Sequence, residues 1–346
     1  MTFTKRISAF VLAAVLALSA AGCGNSSAAP ASSAASTVSA SASSVVTAEK
    51  TTVKIGTLKG PTGLGMVKMM SDAEQKKTAE DYQFTMDTQP TAAVAKLTSG
   101  EVDIAGLPTN LAAALYQKTA GKVQMIAINT LGVLSIVTNG ESVTSIADLK
   151  GKTVYNSGKG SVPEYAYNYI LKQNGLNPDK DVKTIYEPEH SAVLAKVLAG
   201  EAKIAVLPEP FVTQALVKCK TAKLALNLTT EWNKASKGGS VLSMGCLLVR
   251  KEFAEKHKDA LDKFLEEYKA SMEYTNANAA QAGKLAQKYL SMPAAVATKA
   301  IPNCSITYMD GSEMKEKLQP FFKVLYQENP KSVGGKLPDD GLYYQK

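Results

Sequence analysis

From residue 53 onward, the spacing of apolar residues switches repeatedly between two periods. Residues 53–58, "VKIGTL", alternate apolar and polar positions, as a strand with one buried face does. After "KGPTGLG", the run "MVKMMSDAEQKKTAE" carries helical spacing, and "YQFTMDT" returns to strand spacing. "PTAAVAKLTSGE" predicts a helix that starts at Pro90 and stops at Gly100. Proline fits a first turn because its missing N–H has no partner to lose there, and glycine tolerates the left-handed stop. "VDIAGLP" predicts a buried strand, "TNLAAALYQKTAG" a helix with Thr109 as N-cap, and "VQMIAINTLGVLSIVTN" one long extended stretch. Alternation of strand and helix at this pace predicts a parallel sheet with helices on both faces.

The rhythm restarts after "GESVTSIADLKG". "KTVYN" predicts a strand, "SGKGS" a turn, "VPEYAYNYILKQNG" a helix and "VKTIYE" a strand. "HSAVLAKVLAGE", "AKIAVLP" and "PFVTQALVK" then predict helix, strand and helix. Residues 95–108, "AKLTSGEVDIAGLP", recur at 195–208 as "AKVLAGEAKIAVLP", with eight of fourteen positions identical. The repeated phrase fills the same slot each time: helix, glycine stop, strand, proline at the strand's carboxyl end. "VLSMGCLLVR" reads as a strand returning to the first unit. The helices beyond it, among them "EMKEKLQPFFKVLYQE", read as a wrap covering the core. Two similar units, with the chain crossing out and back, predict two lobes joined by a hinge near residues 140 and 243.

The amino-terminal residues stand outside this pattern. Lys5 and Arg6, a short apolar run over 10–18 and "LSAAGC" ending at Cys23 have the form of a secretory signal over residues 1–22. Residues 24–50 are mostly Ser, Ala, Thr and Val, too weakly apolar to offset the entropy of ordering, and read as a tether of roughly 30 Å span. No run of eighteen apolar residues occurs in 51–346. The chain's formal charge of +8 falls to +6 without Lys5 and Arg6, and the surplus is scattered as single lysines. Nucleic-acid binding is not expected from that scatter. Past Cys23 there are Cys219, Cys246 and Cys304, and the histidines are His190 and His257. That is too sparse for a zinc centre, so no metal or cofactor is expected. The three thiols leave room for one disulfide or for buried free cysteines.

Ligands of open parallel sheets sit outside the carboxyl ends of strands, near helix starts. The candidates in the first unit are Lys59, Thr62, Gly63, Leu64 and Gly65 after the first strand, Thr109 and Asn110 after the repeated phrase, and Thr130 near the crossover. In the second unit they are Ser157, Gly160, Ser161 and Glu209. Each Gly-rich stretch has a plain strand-to-helix turn as its alternative reading. Glu209 would accept a ligand amine or simply cap its helix. Asn129 and Thr130 fit ligand contact or hinge structure. Tyr155 and Tyr165 fit ring stacking or the core. Arginine is nearly absent, Arg250 being the one after Arg6. An anionic ligand would therefore rest on backbone N–H groups, hydroxyls and Lys59 or Lys159.

"KLTSGEVDIAGLP", "IADLKGKTVYNSGKGS" and "VLAGEAKIAVLPEPFVTQAL", in this order behind "LSAAGC", resemble the substrate-binding lipoproteins of ABC transporters, of nitrate/sulfonate/taurine type. That group has the type II periplasmic-binding-protein fold and is similar to pyrimidine-precursor binders. The resemblance implies an α/β fold of two lobes, each a mostly parallel sheet flanked by helices, with a C-terminal helical wrap. The implied boundaries are 1–22 signal, 23–50 tether, 51–140 plus 244–346 lobe 1, and 141–243 lobe 2. It further implies a monomeric carrier for a small anionic or heterocyclic solute, lipid-anchored through Cys23 on the extracytoplasmic face of the cell membrane. Its partners would be a permease and an ATPase. An enzyme on the same fold, similar to menaquinone-pathway dehydratases, and a sensor without a transporter are the alternatives. Two departures stand out. Lys203 replaces the acid that Asp103 keeps in the first copy, and the Cys-rich motif of pyrimidine-synthesising relatives is absent.

If Cys23 is the acylated residue, Cys23→Ala should abolish incorporation of labelled fatty acid and release the protein or leave its precursor uncleaved. Labelling that persists in the variant contradicts this reading.

Overall fold

A computed structural model describes residues 49–346. Cys23, the signal and nearly all of the tether lie outside the described residues. Eleven strands are present among those described: β1 (Thr52–Leu58), β2 (Asp81–Asp87), β3 (Ile104–Pro108), β4 (Val123–Leu131), β5 (Leu134–Asn139), β6 (Thr153–Ser157), β7 (Lys183–Glu187), β8 (Ile204–Pro208), β9 (Ala222–Asn227), β10 (Ser243–Arg250) and β11 (Ile306–Met309). They form two sheets, ordered β11-β4-β10-β3-β1-β2 and β7-β6-β8-β5-β9. In the first, β1 pairs in parallel with β2 and β3, while β10 runs antiparallel between β3 and β4. In the second, β6 pairs in parallel with β7 and β8, while β5 runs antiparallel between β8 and β9. Strand for strand, β3-β1-β2 corresponds to β8-β6-β7. No described helix is long and apolar enough to cross a membrane.

The sequence period predicts one extended stretch over 123–139. The structure divides it at Gly132-Val133: β4 belongs to the first sheet and β5 to the second. The chain thus leaves the first sheet eight residues earlier than the expected boundary at 140. Both pieces are almost wholly buried, so hydrophobic pattern alone cannot register the change of sheet. The return runs through β9 and the helix Leu228–Ala235, neither legible in the sequence pattern, into β10. The second crossing packs on the first. A Cβ placed on Gly132 would lie on the Thr229 hydroxyl, 2.9 Å from Thr229 Cβ and 3.1 Å from Leu242. Ser305 closes the same spot by donating to the Gly132 carbonyl at 2.8 Å.

Trp232 fixes the second crossing. It is fully buried, donates from Nε1 to the Ser240 carbonyl at 3.0 Å, and its ring lies 4.9 Å from Tyr169 and 5.8 Å from Phe321. Tyr169 belongs to the helix Val162–Gln173 and Phe321 to the C-terminal helix Gly311–Glu328. Large aromatic burial satisfied at its one polar atom makes this a strong joint.

The twin helices Pro90–Ser99 and His190–Leu198 follow one plan. Gly100 and Gly200 sit just past their ends at φ 80° and 74°, where a side chain would be strained. Asp103 is held in place by Arg250, which donates to it at 2.6 Å, and by the Lys54 N–H at 3.0 Å. Lys203, its exposed counterpart, gives only its carbonyl to Asn139, at 2.8 Å. Cys219, Cys246 and Cys304 are free thiols, the last two buried.

Gly132→Ala should destabilise the protein by about 1–3 kcal/mol in urea denaturation, through overpacking against Thr229. Thr229→Ala removes a buried hydroxyl that has no partner, and should restore part of the loss in the double variant. A neutral Gly132→Ala contradicts the close crossing.

Candidate binding cleft

A cleft of about 320 Å³ lies where the carboxyl ends of the two sheets meet. The first sheet contributes Lys59, Gly60, Pro61 and Thr62 after β1, Thr130 on β4 and Met244 on β10. The second contributes Val133, His190, and Pro208 through Phe211 with Gln214. Leu290–Pro293, between two C-terminal helices, completes the wall. The two sides touch at the rim, where Gln89 Nε2 donates to Glu189 Oε1 at 2.8 Å. These are the N-cap residues of the twin helices, one hundred positions apart. The helices Ala294–Ala300 and Phe211–Lys218 also pack against each other.

Of the candidate residues, Lys59, Thr62, Thr130 and Glu209 line this cleft. The others have different work. Leu64 is core, and Gly63 is a close-packing glycine: a Cβ there would sit 2.5 Å from the Leu58 carbonyl oxygen and 3.3 Å from Leu290. Gly65 lies similarly close to Met272. Thr109 is the first residue of the helix Thr109–Lys118, with Pro108 at the N-cap, and its hydroxyl is hydrogen-bonded to Ser243 at 2.9 Å. Asn110 is buried and donates to the Ser332 carbonyl at 3.4 Å. Asn129 is buried and accepts from the Thr130 hydroxyl at 3.0 Å. Tyr165 is core.

The second glycine turn is closed by its own helix. Glu164 in the first turn accepts from the Gly160 N–H at 2.6 Å, and the Ser161 hydroxyl donates to the Gly158 carbonyl at 2.6 Å. Lys159 lies over the Tyr186 ring, 5.7 Å from its centroid. At the helix position of Glu164, third after the N-cap, the first turn has Gly63, which brings no carboxylate. Ser157 is buried and its hydroxyl is hydrogen-bonded to His190 Nδ1. It therefore reaches the cleft only through the imidazole.

Sequence reasoning missed His190, Phe211, Gln214, Met244 and the segment Leu290–Pro293. The helical wrap is thus also part of the wall. A break was visible there in "LSMP", and Ser291 does adopt a left-handed φ of 57°. The rings of His190 and Phe211 are 5.7 Å apart. Burial pulls the His190 pKa down to about 4, with nearby Glu189 opposing, so the ring is neutral at neutral pH. Burial pushes the Glu209 carboxyl up, with hydrogen bonds from Thr213 opposing. The Glu209 side chain accepts the Thr213 N–H at 3.1 Å, and its own N–H donates to the Val133 carbonyl at 3.0 Å. The cleft therefore pairs an acid and a neutral imidazole with hydroxyls, an amide and an apolar, partly aromatic wall. Its lysine, Lys59, is exposed.

The profile of a family described as ABC transporter, phosphonate, periplasmic substrate-binding protein matches residues 67–285. No curated protein sequence matches significantly. Among solved structures, an ABC transporter protein from Parabacteroides distasonis is similar at 24% identity and a TM-score of 0.72, over 86% of this chain and 100% of that one. The periplasmic aliphatic sulphonate binding protein SsuA from Escherichia coli aligns at 18% identity and 0.69, over 85% and 92%. The periplasmic nitrate-binding protein NrtA from Synechocystis aligns at 16% and 0.56, over 77% and 75%. These likenesses show the two-lobed fold.

Because the folded imidazole resists protonation, the unfolded chain takes up that proton first as pH falls below 6.5. Stability should then drop by up to about 3 kcal/mol from this group between pH 6.5 and 4. Glu209 has the opposite sign, its burial cost being relieved as pH falls. In urea denaturation at pH 7, 5.5 and 4, His190→Gln should lose less stability than the wild type. Parallel curves would mean that the imidazole is not held neutral.

Proposed function

The chain belongs to the ABC-transporter phosphonate periplasmic substrate-binding family, and from that premise we propose that it captures a small solute between its two lobes and hands it to a permease driven by an ATPase. The observation that carries this reading is the composition of the cleft wall. Groups from the carboxyl ends of both sheets, and from the C-terminal segment, face one small space. A solute held there contacts both halves at once, so its binding energy favours the closed form over an open one. The Gln89–Glu189 contact at the rim fits that closed form. Discrimination between closed and open shapes is what a permease would read.

Carriage rather than catalysis is supported by the fate of the most reactive pair. Ser157 and His190 are hydrogen-bonded, but Ser157 is buried and absent from the cleft wall, so its hydroxyl faces no bound solute. The signal-like amino terminus and Cys23 support attachment to the extracytoplasmic face of the membrane.

A melting-temperature screen of sulfonates, phosphonates, nitrate, pyrimidines, amines and amino acids should find a stabilising solute, since a ligand at a hundredfold excess over Kd adds about 2.7 kcal/mol. Phe211→Ala and Thr62→Val take one contact from each side. Each should weaken that solute about tenfold in calorimetric titration, a loss of about 1.4 kcal/mol. Without solute, Thr62→Val should melt near the wild type, and Phe211→Ala, which loses packing on the second lobe's core, somewhat below it. Unchanged affinity in both variants would place the site elsewhere.

A further inference from the structure

We propose that the solute presents a protonated nitrogen to Glu209 and a flat apolar body to Phe211 and the two cleft methionines, rather than an oxoanion. The inference rests on the cleft reading above and specifies the charge of its occupant.

Glu209 is 5% exposed, and its carboxyl is held by Thr213 alone, through the backbone N–H at 3.1 Å and the side chain. Among the described residues no lysine, arginine or histidine lies within ion-pair distance of it. A buried carboxylate without a partner is costly, and the raised pKa of Glu209 reflects that cost. The cost is offset when a cation enters beside it. An oxoanion in the same space would meet an acid at short range in a poorly screened site, with the sign of the interaction reversed.

The cations that would have to overcome that repulsion are not placed to do so. Arg250 is held by Asp103 and does not line the cleft. Lys59 is exposed, where water screens it. His190 has Nδ1 engaged with Ser157 and is neutral. The remaining polar groups, Thr62, Thr130, Ser291 and Gln214, are uncharged and suit a neutral hydrogen-bonding edge. Phe211 with His190 beside it, and Met244 with Met292, make walls suited to a ring. The volume, near the lower end for ligand pockets, suits a compact ring amine or amidine.

The test uses probes with one ring and opposite charges: benzylamine and benzamidine against benzenesulfonate and benzylphosphonate. Each is titrated calorimetrically into the wild type, Glu209→Gln and Phe211→Ala. At least one cation should bind the wild type at least tenfold more tightly than either anion. It should lose at least tenfold in Glu209→Gln and weaken in Phe211→Ala. Gln is close to isosteric with Glu, and circular dichroism melts of both variants would check that each is folded. If an anion binds more tightly and is weakened by Phe211→Ala, the cleft stands and the proposed charge is overturned. If a cation binds equally to wild type and Glu209→Gln, the assignment to Glu209 is overturned. Binding that is indifferent to Phe211→Ala overturns the cleft reading itself. Silence from both cations also overturns the proposal, which requires charge and ring to suffice for measurable binding.

Discussion

Everything in this fold depends on two strands that run the wrong way. After the repeated phrase, each sheet has as its next neighbour an antiparallel strand supplied by a chain that has just crossed from the other sheet: β10 beside β3, and β5 beside β8. Neither sheet could be completed by its own contiguous segment. The two crossings lie against each other at Gly132, Thr229 and Leu242, close enough to exclude a methyl group. That arrangement brings the carboxyl ends of both sheets to one place, and the cleft follows from it. The duplication of sequence then acquires a spatial meaning, since the N-caps Gln89 and Glu189 of the twin helices meet at the rim.

Much of the architecture was legible in the chain. Helix stops at Gly100 and Gly200, strand ends at Pro108 and Pro208, and the return through β10 all follow from local chemistry that the sequence displays. The change of sheet between β4 and β5 was not legible, because one apolar period runs through both and Gly132 is its slightest punctuation. The structure gathers Lys59, Thr62, Thr130 and Glu209 into the cleft and leaves the other candidates out for a related reason. Glycine turns announce that backbone N–H groups are available, but not who takes them. In the second lobe Glu164 takes one, four residues after Gly160, a spacing that could have been noticed. Thr109 and Glu209 look equivalent in the repeat. Yet Ser243 of the return strand engages the first, while Pro210 delays the second helix and leaves Glu209 facing the cleft. His190, Phe211 and Leu290–Pro293 required the fold, since only packing brings these distant segments together.

The family supplies the fold and the role of carrier, while the proposed charge of the cargo rests on local side chains. Structures with this fold include proteins named for binding sulphonate and nitrate. In this chain a buried acid after β8 and a neutral imidazole after β7 line the cleft, and among the described residues no arginine does. The scaffold fixes where groups stand but not which groups they are, so a shared backbone does not by itself set the sign of the ligand.

On this reading, solute binding joins two halves that otherwise part. Spin labels at Thr91→Cys and Ser191→Cys, equivalent exposed positions on the twin helices, report it directly once Cys219 is replaced by serine. In protein stripped of solute, pulsed dipolar spectroscopy should give a broad distribution with longer distances. Saturation with the solute found in the melting screen should collapse it to one short, narrow distance. The same distribution with and without that solute would contradict the account.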